Sequence, residues 1–278
     1  MIEIELDIFS GRPNPRWTLS PAEQREFLER VINGGVPMAP VSVSDGKLGY
    51  RGFVVHTTGT VAHTLKEKKL PTYFRVREGM TTKVDISSEQ WLLASVEQLG
   101  LQEVVVEAAA EEIVAQPLVE EATALATCSY HVTSSTNFDF WNKESRHRLN
   151  NNCYNYCSNW RTNTFAQPGR GTGKIFTSLT VAAIKDAALR DGYKTTCSGG
   201  NLRVAFAIWP GVDYHWWRKT KSTSSGTARY CHKPGSTNAR NKDNSGNYIT
   251  SPYSCDRGKY TTWGGYLYGP GSSRQTVN

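Results

Sequence analysis

A break in composition near residue 126 most constrains what this chain can fold into. Residues 1–126 carry 12 Lys+Arg and 18 Asp+Glu, a net of −6, while residues 127–278 carry 20 and 7, a net of +13. All six Cys, six of eight Trp and eleven of thirteen Tyr lie after the break. Sorting of this kind is expected of two domains, and 278 residues suffice for two small ones. An apolar content of 38% supports packed cores rather than a disordered chain. No apolar run approaches the ~20 residues of a membrane span, so no membrane partner is expected. The opening MIEIELDIFSGRP lacks the basic-then-apolar form of a Sec signal, so the expected location is the cytoplasm or export by a non-Sec route.

The first part reads as a small α+β domain over residues 1–100. Ile2, Ile4, Leu6 and Ile8 alternate as in a half-buried strand. Ser20-Pro21-Ala22-Glu23 carries a capping box and an early proline, followed by the apolar stripe Phe27, Leu28, Val31 and Ile32. Residues 52–57 and 72–76 read as strands, and Ser87 starts a second helix ending at Gly100. RPNPRW is a rigid turn that would place Arg12 or Arg16 at the surface. His56 and His63 are isolated. Residues 101–127 read as an acidic Ala/Glu-rich helix, broken before Pro117, and then a linker.

The basic, aromatic-rich domain at 128–278 carries the chemistry. Asn150-Asn151-Asn152 caps a helix that starts at Cys153, where the positive end of the helix dipole favours a thiolate. Residues 178–190 form an amphipathic helix and residues 202–209 a buried strand. In the next strand Asp213, His215 and Trp217 share one face, and Tyr214 and Trp216 the other. Residues 228–233 resume a strand bearing His232, and WGGYLY closes the sheet with close backbone approach at its glycines. FAQPGRGTGKIF lacks the spacing of a phosphate loop and reads as a flexible Gly/Pro loop; the tail GPGSSRQTVN is expected to fray.

The order of a helix-borne Cys followed by His on two successive strands resembles papain-like hydrolases, especially the NlpC/P60 branch. That resemblance implies a papain-like α+β domain with an antiparallel sheet. It makes Cys153 the nucleophile, His215 the general base and His232 the orienting third residue, with Asp213 competing for the last role. Asn151 or Asn152, with the backbone N–H of Cys153, would line an oxyanion hole. The D-C-S-G motif of that family is replaced by Asn152-Cys153-Tyr154. The strings NNCYNY, NTFAQPG, PGVDYHWW, HKPGST, DNSGN and DRGKYT, over about residues 128–268, are similar to an uncharacterised bacterial domain family and to insoluble matrix proteins of mollusc shells. The opening LDIFSGRPNPRWTLS with LGYRGF resembles another uncharacterised bacterial domain.

The expected function is a cysteine hydrolase of amide or isopeptide bonds, needing no cofactor or metal, with a peptide or peptidoglycan-like substrate. Three alternatives stand beside it. One is a binding module for an anionic polymer, nucleic acid or glycan, suited to the positive charge and 22 aromatics in 152 residues. Another is a matrix or structural protein, and the last a toxin-like effector. Six cysteines allow one or two bridges, such as Cys128 or Cys197 with Cys255. DNSGN offers oxygens but lacks EF-hand spacing and reads as a tight turn.

Overall fold

A computed structural model describes residues 1–42, 44, 46–76, 87–96, 100–114, 132–133, 135–197, 202–221, 226–270 and 276–278. The chain forms two compact units. The first comprises Met1–Ile8, Asn14–Asp45 and Gly49–Gln116; the second comprises Phe9–Pro13, Gly46–Leu48 and Pro117–Asn278. Two short N-terminal segments therefore belong with the basic domain, an assignment that composition does not reveal. Both units are α+β with antiparallel sheets.

In the first unit, β1 (Ile2–Leu6), β2 (Arg16–Thr18), β3 (Met38–Ala39), β4 (Phe53–Thr57) and β5 (Tyr73–Val76) form a sheet of order β2-β1-β4-β5-β3. Ile2, Ile4 and Leu6 are buried as their alternation predicts. Helix α1 (Pro21–Ile32) begins at the expected capping box, in which Ser20 accepts from the Glu23 amide and the Glu23 carboxylate accepts from the Ser20 amide. Its Phe27 stacks on Trp91 of α3 (Ser87–Ala94), with ring centroids 5.8 Å apart. The sequence reading missed α2 (Gly59–Glu67), which has no side-chain cap to announce it. Helix α4 (Glu103–Val114) opens the acidic stretch. Residues 115–131, with the rest of the linker, Cys128 and His131, lie outside the described residues.

In the second unit, α5 (Phe138–Asn142), α6 (Ser145–Leu149) and α7 (Cys153–Ser158) precede α8 (Val181–Arg190) and the strands β6 (Arg203–Trp209), β7 (Asp213–Lys221), β8 (Ala228–His232) and β9 (Thr262–Tyr268). The sheet order is β8-β7-β6-β9, every pairing antiparallel. Residues paired across an antiparallel ladder share a face. One face therefore bears Val204, Phe206 and Ile208 with Tyr214, Trp216, Arg218 and Cys231. The other bears Ala205 and Ala207 with Asp213, His215, Trp217 and His232. Helices α7 and α8 pack on the first face, where Cys153, Tyr154, Ile184 and Ala188 join Phe206, Tyr214 and Trp216 in one core. A Cβ on Gly264 would lie 2.3 Å from the Phe206 ring, so the close approach expected at WGGYLY is real.

Two expectations of looseness fail. The Gly/Pro loop is tied down: the Gly169 amide donates to Asp191 (2.7 Å), and a Cβ on Gly171 would fall 1.9 Å from the Thr276 carbonyl oxygen. The last residues are also held, since Val277 is buried and the Asn278 carbonyl accepts from the Gln167 amide at 2.9 Å. Contacts between segments distant in the chain, invisible to local composition, hold both.

Candidate functional site

Asn152 caps α7 as the sequence predicts. Its Oδ1 accepts from the amides of Tyr154 and Asn155, both at 3.1 Å, and Asn155 answers by accepting from the Asn152 amide. Cys153 follows in the first turn, but its thiol is fully buried against the sheet. Burial pushes the Cys153 thiol well above its ordinary pKa, and the nearby Asp213 carboxylate adds to the effect. A helix N-terminus contributes about 0.3–1 kcal/mol toward a thiolate. That is small against the desolvation of a charge in such a core.

His215 sits on the face of β7 opposite the one α7 covers. Trp216, one residue on, stacks on Phe206 at 4.6 Å within the Cys153 core, so alternation turns His215 away. The structure therefore does not bring Cys153 and His215 together as a nucleophile and base. It does join His215 to His232: Nε2 of His215 lies 2.8 Å from Nδ1 of His232. Nε2 of His232 lies 2.9 Å from the Lys242 carbonyl oxygen. A carbonyl only accepts, so His232 carries its proton on Nε2 and its Nδ1 accepts from His215. Burial lowers the His232 pKa to about 3, so this ring is neutral. Trp217 packs edge-on against His215 at 4.5 Å.

Asp213, the rival for the place beside His215, is engaged elsewhere. It accepts from the amides of Ser10 (2.6 Å), Gly11 (3.2 Å) and Arg12 (3.1 Å) and from the Tyr260 hydroxyl (2.5 Å). Burial raises its pKa, opposed by the hydroxyl and amide donors. The carbonyl of Gly11 in turn accepts from Asn152 Nδ2 (2.7 Å), Gln167 Nε2 (2.7 Å) and Tyr214 (3.1 Å). Asn152 thus does grip a carbonyl oxygen, as an oxyanion donor would, but that oxygen belongs to the chain itself. Arg12 donates to the Val212 carbonyl. Arg16 pairs with Glu5 at 2.6 Å on β2 of the first unit. Asn151 binds the His147 carbonyl and the amides of Thr162 and Asn163, and so ties loops together. His147 is buried with Nδ1 2.8 Å from the Phe140 carbonyl oxygen.

Cys197 is disulfide-bonded, while Cys153, Cys157, Cys231 and Cys255 are free thiols. The expected bridge to Cys255 is thus not made, and its Sγ instead donates to the Pro252 carbonyl at 3.5 Å. DNSGN is a tight turn in which Asp243 Oδ1 accepts from the Asn247 amide at 2.8 Å. Among the described residues, no three side chains of His, Cys, Asp or Glu cluster as metal ligands would.

A cleft of about 320 Å³ opens at the β8 edge of this unit, lined by Thr136, Thr220, Arg229, Cys231, Asn241 and Tyr248 among others. Tyr248 is 52% exposed. Lys242 Nζ stands 3.4 Å and Arg229 Cζ 4.6 Å from its ring centroid. The sequence reading singled out none of these residues. The available signal was Arg218, a charge placed by alternation on the same face as Tyr214 and Trp216.

No family model and no solved structure matches the chain. Insoluble matrix shell protein 1 of Ruditapes philippinarum is 40% identical over 130 residues, which is 46% of this chain and 84% of that relative. With most of that relative covered at this identity, the chain belongs to the family of insoluble matrix shell protein 1.

Proposed function

We propose that the second unit is a non-catalytic binding module for an acidic glycan. The observation that carries this reading is the cleft at the β8 edge, with Arg229 and Lys242 held on the exposed Tyr248 ring. A net of +13 over residues 127–278 draws anionic polymers to this unit. The cleft lining of Thr hydroxyls and the Asn241 amide suits sugar hydroxyls. Single-stranded nucleic acid favours open aromatic faces for stacking, whereas two cations already stand on the Tyr248 ring. A relative named for an insoluble matrix agrees with polymer binding. A buried Cys153 facing away from His215 argues against thiol hydrolysis.

Binding of the full chain to a sulfated polysaccharide, a neutral polysaccharide and single-stranded DNA tests the proposal. The sulfated polymer is expected to bind, with affinity falling as salt rises. The combined substitution Arg229→Ala and Lys242→Ala is expected to weaken it about tenfold, equivalent to about 1.4 kcal/mol, while Cys153→Ala leaves it intact. Unchanged binding by the double variant, or tighter binding of DNA, overturns the reading.

A further inference from the structure

Arg218 lies at the middle of β7 and is fully buried, yet no carboxylate among the described residues pairs with it, and the Tyr156 side chain is the polar group it faces. Its Cζ stands 4.5 Å from the Tyr156 ring centroid, a contact worth about 2 kcal/mol when desolvated. An uncompensated buried charge costs several kcal/mol. Lys233 in the same unit shows the ordinary solution, with its buried ammonium donating to the carbonyls of Arg148, Asn151 and Gly235. Packing does not require a charge at 218, because its neighbours across the two ladders are Val204 and Cys231.

The position of Arg218 relative to the cleft supplies a reason. Its cross-strand partner Cys231 lines the cleft, and so does Thr220, the next residue of β7 on the same face. Arg218 is thus the buried neighbour of two lining residues, while Arg229 lines the cleft itself. We propose that this cleft is the receptor for one anionic group, a sulfate ester or carboxylate, with Arg218 supplying positive charge from behind the lining and Arg229 from the lining itself. This rests on the glycan-binding reading and names the group of the polymer that is recognised. A planar guanidinium with five N–H donors suits an oxyanion, and low polarity around it strengthens the attraction.

Thermal unfolding of the full chain in sodium sulfate, in sodium acetate and in sodium chloride of equal ionic strength tests this. An anion that binds only the folded state raises the Tm. Sulfate stabilises any folded protein by exclusion, so the readout is the part of the gain that depends on Arg218: sulfate, acetate or both are expected to raise the wild-type Tm above the chloride control by more than they raise that of Arg218→Met. The salt that acts distinguishes a sulfate from a carboxylate receptor. Equal gains in wild type and Arg218→Met, or no gain in wild type, overturn the proposal. Should Arg218→Met fail to fold, Arg218→Lys keeps the charge without the fork; a reduced gain supports the site and an undiminished one overturns it. A gain that depends on Arg218 without polymer binding would defeat the glycan reading and leave the anion receptor standing. Polymer binding with no such gain would do the reverse.

Discussion

Both units bury arginine completely, but they compensate the charge differently. In the first unit, Asp7 accepts from Arg51 Nε (3.1 Å) and Nη2 (2.7 Å) and from Arg75 Nη2 (2.8 Å). Arg51 also donates to the Gly49 carbonyl, and Arg75 to the Arg51 carbonyl. The two arginines hold the Asp7 carboxyl far below its ordinary range despite full burial. In the second unit, Arg218 faces the ring and hydroxyl of Tyr156 and the thiols of Cys157 and Cys231, and no carboxylate among the described residues pairs with it. The first arrangement is self-sufficient and belongs to the architecture. The second makes sense when an anion from outside completes it. Equal burial therefore carries opposite meanings, depending on what faces the charge.

The largest effect should come from breaking the self-sufficient cluster. Asp7→Ala leaves two arginines buried without their carboxylate and is expected to cost about 3–5 kcal/mol, read by denaturant unfolding of the first unit. A loss below about 1 kcal/mol would show that the cluster is not what holds those charges. Its pH dependence follows in sign. A folded pKa below the unfolded value near 4 means this stability is present above about pH 4 and is lost as pH falls further.

Gly11→Ala comes next. The new Cβ would sit 2.4 Å from the Tyr214 ring, an overpacking that costs about 1–3 kcal/mol. It should also speed hydrogen exchange at the Ser10, Gly11 and Arg12 amides held by Asp213; unchanged exchange would refute that link. Acid should act on the second unit through His232. Its folded pKa of about 3 lies below the ordinary value of 6.5, so its contribution is full above about pH 6.5 and is lost as pH falls toward 3. The slope is about 1.4 kcal/mol per pH unit, and a His232→Gln variant should lack it. The smallest effect belongs to a charge already in water: Lys143→Ala removes an exposed pair with Asp139 and should cost below about 0.5 kcal/mol. An exposed pair that mattered as much as Asp7 would erase the distinction between paired burial and solvation.

Much of the local structure was readable in the sequence because local chemistry sets it. The Ser20–Glu23 capping box, the Asn152 cap, the alternation in β1 and the faces of β7 follow from residue types and spacing. His232 beside His215 was part of the papain-like expectation, and the two imidazoles do meet, although without the Cys153 that expectation required. Gln167, Tyr214 and Tyr260 were missed as partners of Gly11 and Asp213, because they converge from segments far apart in the chain. The β8 cleft was missed for the same reason.

The sequence by itself determined that there are two chemically different parts, which residues begin helices, and that His215 and Trp216 point to opposite faces of one strand. Only the tertiary structure decided which of those faces α7 would cover. That choice depends on where apolar area is buried between distant segments, and no spacing within a strand encodes it. By covering the Trp216 face, α7 buries the Cys153 thiol, separates it from the histidines and leaves Arg218 as the buried neighbour of residues that line the cleft.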